Sequence, residues 1–220
     1  MKLFDYQTDD AFFYENGFHA TSDISRIGKI MVHYELYKKI INLPGAVVEC
    51  GVFKGSSLIR WATFRELLEN KFSRNLIGFD VFGDFPETDF EADKKLREDF
   101  VVKSGGPVSI DELENIFAFK NIENFELLKG NVLQTIPEYL ENNPQLRISL
   151  LHVDIDVYEP AKVILDSFWK YIVPGGIMVL DDYGIFPGET KAVDEFIADK
   201  KIIIRKFPFG HSSASYIVKE

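Results

Sequence analysis

A single cysteine, Cys50, stands in this sequence of 220 residues, so no disulfide can close within the chain. A lone thiol suits a reducing compartment, and the expectation is a cytoplasmic protein. Basic runs are missing too. None is longer than a pair such as Lys200-Lys201, against a formal net charge of −10. Phosphate-backbone binding needs clustered Lys and Arg, so nucleic acid is not an expected partner. No stretch approaches the ~20 apolar residues of a membrane span, and no membrane association is expected. Met1 to Asp10 carries acids and no apolar run, which does not fit a signal peptide. The G-x-G-x-x-G of dinucleotide enzymes is absent, as is the Gly-Lys-Ser/Thr of a phosphate loop. There is no internal repeat and no low-complexity tract.

What is present reads as one globular domain. Hydrophobic residues make up 46% and charged residues 27%, both ordinary values for a chain with a full core. Residues 1–20 are aromatic and acidic without a clear period, and suit an arm or lid. Ile24, Ile27, Met31, Tyr34 and Ile41 recur at helical spacing, with Ser22 or Asp23 as a cap, until Pro44-Gly45 breaks the pattern. Residues 1–45 are therefore set apart as an N-terminal arm and helix. From 46 to 220 strands and helices alternate. Strands are predicted at 46–50, 76–80, 125–129, 148–154, 177–180, 201–207 and 215–218. Helices are predicted near 56–70, 89–103, 109–119, 132–142, 160–171 and 190–200. Ser109 and Glu112 have the spacing of a capping box. The pattern predicts a doubly wound α/β fold: a mostly parallel sheet of seven strands, closed by an antiparallel edge hairpin. In such sheets ligands bind beyond the carboxyl ends of the strands.

Those ends carry the chemistry. The first strand ends in Glu49-Cys50-Gly51-Val52-Phe53-Lys54-Gly55-Ser56-Ser57. Two glycines four apart let backbone approach a ligand, and Ser56 or Ser57 can cap the next helix. Glu49, an acid on a buried strand, calls for a partner. The second strand ends in Asp80, placed to hold ribose hydroxyls or to cap a turn. Phe82 follows and suits either an adenine face or the core. Gly130-Asn131 after the third strand suits a tight turn near a base, or a turn alone. The fourth strand ends in His152-Val153-Asp154-Ile155-Asp156, and the fifth in Asp181-Asp182-Tyr183. Carboxylates brought together in one partly buried place repel, and a hard divalent cation resolves this; all-oxygen ligation favours Mg²⁺, Mn²⁺ or Ca²⁺. His152 lies inside an apolar strand and reads as a core histidine. His211, in a loop after Phe209-Gly210, suits the site or the surface equally.

Together these residues resemble the macrocin O-methyltransferase family. The likeness is carried by Glu49-Cys-Gly-Val-Phe-Lys-Gly55, Gly78-Phe-Asp-Val-Phe82 with Asp84-Phe-Pro86, Asp154-x-Asp156-x-Tyr158-Glu159, Pro174-Gly-Gly176 and Asp181-Asp-Tyr183. The stretch from Asp23-Ile-Ser-Arg26 through His33-Tyr-Glu-Leu-Tyr37 to Leu43-Pro-Gly45 resembles members that methylate nucleotide-linked deoxyhexoses. The likeness covers about residues 21–185, and its specific part is the pair of acidic motifs. It implies a class I, Rossmann-like methyltransferase fold, and S-adenosylmethionine at Glu49, Gly51, Gly55 and Asp80, with Ser56, Phe82, Gly130 and Asn131 as neighbours. It implies Mg²⁺ or Mn²⁺ at Asp154, Asp181 and Asp182. The strand-four motif is also similar to that of catechol-type methyltransferases, but the position of their lysine base is Val157 here. Asp154, Asp156 or His211 is then the expected proton acceptor, Tyr158 a candidate to orient the site, and 83–108 a candidate lid. A sugar hydroxyl is the expected acceptor and a homo-oligomer the expected assembly. A catechol-type acceptor, a nicotinamide oxidoreductase and a binding module stay open as other readings.

Overall fold

The computed structural model describes residues 1–83, 88–104, 106–210 and 214–220. A small hairpin, β1 (Lys2–Leu3) and β2 (Tyr6–Gln7), leads into α1 (Ala11–Thr21), a helix with no buried residue. Helix α2 (Ile24–Ile40) starts at Asp23, whose side chain accepts a hydrogen bond from the Ser25 backbone at 2.8 Å. Its buried face is not the stripe that marked it in sequence. Val32, Leu36 and Ile40 turn inward with His33 and Tyr37, while Ile24 is 79% and Met31 47% exposed. The two stripes lie about 100° apart, and the one with unbroken i, i+4 spacing packs on the sheet.

The alternation then runs β3 (Ala46–Cys50), α3 (Ser56–Leu68), β4 (Leu76–Asp80), α4 (Glu91–Ser104), α5 (Ile110–Phe119), β5 (Phe125–Lys129), α6 (Val132–Asn142), β6 (Ile148–Val153), α7 (Tyr158–Phe168), β7 (Ile172–Leu180), α8 (Pro187–Ile197) and β8 (Ser215–Val218). The capping box at Ser109 and Glu112 is formed. One sheet of six strands has the order β5-β4-β3-β6-β7-β8, parallel except for the antiparallel pair β7–β8. The strand expected at 201–207 contributes a single bridge, Arg205 to Tyr216, on the far side of β8. The flanking residues turn outward instead of pairing, Ile203 being 65% exposed.

Strand residues alternate between two apolar layers. Val48, Cys50, Phe79, Leu151 and Leu180 face α6, α7 and α8. Val47, Leu76, Leu150, Ile177 and Val179 face α2, α3 and α5. The order reverses between β3 and β6, because α3 carries the chain to one side and the later units build on the other. That switch point sits over the ends of β3 and β6, where Gly51 and Asp154 meet.

Candidate active site

A cavity of about 860 Å³ lies at this switch point, at the upper end of the range for small-molecule sites. Gly51, Ser56, Asp80, Asn131, Asp154, Asp156, Asp181 and Asp182 all line it. Gly51 has φ +93°, and a Cβ there would stand 1.6 Å from the Asp154 carbonyl oxygen. Only glycine lets the β3 and β6 ends come this close. Asp80 fixes the two neighbouring loops. Its carboxylate accepts from the Phe53 N–H at 2.9 Å and the Phe82 N–H at 2.7 Å, both residues with positive φ. Asn131 caps α6, accepting from the Leu133 N–H at 3.0 Å.

On the other side, ligand atoms of Asp154, Asp156 and Asp182 lie within 4.8 Å of one another. Asp156 is held at φ +63°, in a left-handed conformation that aspartate tolerates. The acids raise one another's pKa values. Burial, then the charges of Asp181 and Asp182, push Asp154 well above the carboxylate range. Burial, then Asp156 and Asp181, do the same to Asp182. Asp156 is pushed up to about 7, chiefly by burial and then by the Asp154 and Glu189 charges, against a hydrogen bond with Asp182. One oxygen of Asp182 is buried without a hydrogen-bond partner. The Asp182 N–H donates to Glu189 at 3.1 Å; Glu189 is itself fully buried, with its other oxygen unpartnered. Crowded carboxylates with orphaned oxygens are a donor set for a hard cation.

Beneath lies a layer of buried polar groups. His152 bridges Glu49, 3.0 Å from Nδ1, and Asp181, 3.4 Å from Nε2. Burial opposes its charge, but the bonds to Asp181 and Glu49 win and raise its pKa to about 10. Asp181 also takes the Lys29 ammonium at 2.5 Å. Burial opposes the Asp181 charge as well, yet His152, His33 and Lys29 hold its pKa well below the usual range. His33 stacks on Trp61 with ring centroids 4.3 Å apart, and its Nδ1 meets Arg60 at 2.9 Å. Burial lowers the His33 pKa to about 3, so it is neutral. Its Nε2, 3.9 Å from Asp181, has no hydrogen bond.

Several expectations shift in this geometry. Asp181, expected as the third metal ligand, groups with His33 and His152 and holds Lys29; Asp156 stands in the carboxylate cluster instead. Successive residues at a strand end point to opposite faces, which separates Asp181 from Asp182. Glu49 does not line the cavity. It is fully buried, with its carboxylate taken by Ser57 at 2.9 Å and by His152. Phe82 packs in the core layer with Val52 rather than on a ligand face. Gly55 packs against Leu113 as the left-handed residue before α3. Gly130, at φ +144°, continues the β4–β5 pairing, its N–H bonded to the Asp80 carbonyl. The Tyr158 hydroxyl points to Glu195 at 2.7 Å, away from the acids. His211 and the Asp84-Phe-Pro86 motif lie outside the described residues. His152 is a partnered core histidine, as read from its strand. Lys29, His33, Arg60 and Glu189 were missed. Only their places on α2, α3 and α8 bring them to the site, and no local pattern marks them.

A switch-point cavity with a glycine loop on one side and carboxylates on the other, on this sheet, defines a class I methyltransferase fold. The chain belongs to the macrocin-O-methyltransferase family, whose model matches residues 29–206. It is 28% identical over 148 residues to 8-demethyl-8-(2,3-dimethoxy-alpha-L-rhamnosyl)-tetracenomycin-C 4'-O-methyltransferase of Streptomyces olivaceus, a match covering 65% of this chain and 54% of that one. It is 27% identical over 177 residues to demethyldecarbamoylnovobiocin O-methyltransferase of Streptomyces niveus, covering 74% of this chain and 64% of that one. The matches thus span little more than half to under two thirds of these relatives' lengths. Two crystal structures of CalS11 share its fold at 24% identity: the calicheamicin methyltransferase with TM-score 0.75, covering 96% of this chain and 85% of that one, and the apo form, titled TDP-rhamnose 3'-O-methyltransferase, with TM-score 0.71, covering 96% and 86%. No described helix is long and apolar enough to cross a membrane.

Proposed function

We propose that this protein transfers a methyl group from S-adenosylmethionine to a sugar hydroxyl, with Mg²⁺ held by the carboxylate cluster. The observation that carries the reading is the crowding of Asp154, Asp156 and Asp182 at the switch point, facing a glycine loop across one cavity. When bound, Mg²⁺ supplies a Lewis acid that acidifies a hydroxyl, and S-adenosylmethionine supplies the methyl group. Asp154 and Asp182 hold the cation. Asp156, the third acid of the cluster, takes the hydroxyl proton on its carboxylate. Gly51, Ser56, Asp80 and Asn131 bound the donor side. Lys29 holds Asp181 in an ion pair beside the cluster. The sugar acceptor follows the relatives, whose names describe rhamnosyl and TDP-rhamnose substrates. A cytoplasmic location and a homo-oligomer are part of the reading; the exposed apolar stripe of Ile24, Met31 and Tyr34 on α2 supports the oligomer.

Titration of S-adenosylhomocysteine, followed by turnover of TDP-rhamnose with EDTA or Mg²⁺, tests the proposal. Product binding without metal and turnover only with Mg²⁺ are expected. Full turnover in EDTA removes the metal. No binding of S-adenosylhomocysteine under any condition removes methyl transfer.

A further inference from the structure

One wall of the cavity is cationic, in a protein of net charge −10. Arg26 and Lys29 project from α2 three residues apart, and Arg60 from α3; all three line the cavity. Lys29 is neutralised by Asp181. The two arginines are not neutralised: neither forms an ion pair among the described residues. Arg60 gives one bond, to His33, and its other N–H groups have no partner there. Burial lowers its pKa, and the neighbouring charge of Arg26 lowers it further, against the pull of Glu49 and Asp181. Two guanidiniums face one space with no direct ion partner, the cavity's carboxylates acting on Arg60 only from a distance, and the planar donor fork of arginine matches a phosphate's oxygens.

The place of this wall says which ligand would supply the anion. Helix α2 packs on β6 and β7, and Lys29 fixes it above Asp181. Asp80 and Asn131 lie at the ends of β4 and before α6, on the other side of β3. Arg26 therefore stands on the acceptor side, and Arg60, bonded to His33 of α2, faces it from α3 one turn beyond Ser56. Phe18 of α1 also lines the cavity. We propose that Arg26 and Arg60 form an anion subsite for the diphosphate of a nucleotide-linked sugar acceptor. This rests on the methyl-transfer reading of the same cavity. It separates this chain's acceptor from a neutral glycoside, which gives the guanidiniums nothing to neutralise.

Calorimetric titration of thymidine diphosphate and of S-adenosylhomocysteine into the wild type, Arg26→Gln and Arg60→Gln tests it. The expected result is nucleotide binding by the wild type, weakened about tenfold or more in each variant, with S-adenosylhomocysteine affinity held within about twofold. Arg60→Lys keeps a donor for His33. If Arg60→Gln melts early, Arg26→Gln at its exposed position and Arg60→Lys carry the test. No nucleotide binding by the wild type, or equal binding by all variants, overturns the subsite. A fall in S-adenosylhomocysteine affinity alone also overturns it, and gives the arginines to the donor's carboxylate. A wild type that takes nucleotide but no S-adenosylhomocysteine would instead count against the methyl-transfer reading.

Discussion

The two ends of the sheet bury charge in opposite ways. At the amino ends of the strands, Arg74 is matched atom by atom. It grips Glu69 at 2.6 and 2.8 Å, donates to Ser149 at 2.6 Å, and reaches the carbonyls of Gly45 and Ile40. Tyr37 completes Glu69 with a bond of 2.6 Å. Arg65 beside it gives its N–H groups to Glu66 and to the carbonyls of Arg74, Glu123 and Asn124. At the carboxyl ends, Asp154, Asp156, Asp182 and Glu189 share one sign, and Asp182 and Glu189 each leave an oxygen unpartnered. A buried charge with all its partners is part of the scaffold. Buried charges of one sign, with atoms left over, are held there by the fold at a cost, which marks them as a site.

The comparison breaks first at Arg74. Replacing it by Met strands the Glu69 carboxylate, and stability should fall by about 3–5 kcal/mol in a denaturant titration. The matching change at the other end, Asp182→Asn, removes one of several repelling charges. The metal-free protein should then be at least as stable as the wild type. Equal losses from both changes would mean that the carboxylate cluster is as well satisfied as the arginine lock.

A smaller effect sharpens the carboxyl end itself. Asp156→Asn keeps the shape of the side chain and removes the proton acceptor. Turnover should fall by about 10²-fold, the lower range for a general base, while S-adenosylhomocysteine affinity stays unchanged. Turnover within a few-fold of wild type would move the base elsewhere.

Much of this end was legible. A parallel sheet collects its strand ends, so Gly51, Asp80, Asn131, Asp154, Asp156 and Asp182 were bound to share one edge once the strands were placed. What could not be read was direction. Whether Asp181 or Asp182 faces the cluster depends on the pleat at the last strand residue. Glu49 looked like a ligand group because its partners, Ser57 and His152, are fixed only by packing. Lys29 meets Asp181 across 152 positions of sequence, through the crossing of α2 over β6 and β7. The seventh strand stops at one bridge, Arg205 to Tyr216, because its apolar residues are not fully taken into the core: Ile203 is 65% exposed. The amino-end lock was not foreseen at all, since Arg65, Glu69 and Arg74 carry no motif.

The smallest expected effect follows from the same crowding. Asp156 has a folded pKa of about 7, and Asp154, Asp182 and Glu189 are also raised, first by burial and then by one another. An unfolded carboxyl titrates near ~4. Each raised group binds its proton more tightly in the folded chain. Its contribution to stability is therefore full below ~4 and lost as pH rises through the folded value. Asp181, held low, has the opposite sign: it favours the fold above ~4. Between pH 5.5 and 8 Asp181 is ionised folded and unfolded and sets no slope, and His33, held to about 3, and His152, held at about 10, pull in opposite directions around their unfolded value. The raised carboxyls keep protons the unfolded chain has lost, so the Tm of metal-free protein should fall across this window, by several degrees at about 2–4 °C per kcal/mol. The lock at the amino end has no part in this, because Arg74 and Arg65 stay charged throughout. Saturating Mg²⁺ should flatten the decline, since a bound cation favours the ionised carboxylates at every pH in that window. A metal-free Tm that holds or climbs across it would mean that the acids are compensated within the chain, and the contrast between the two ends would lose its basis.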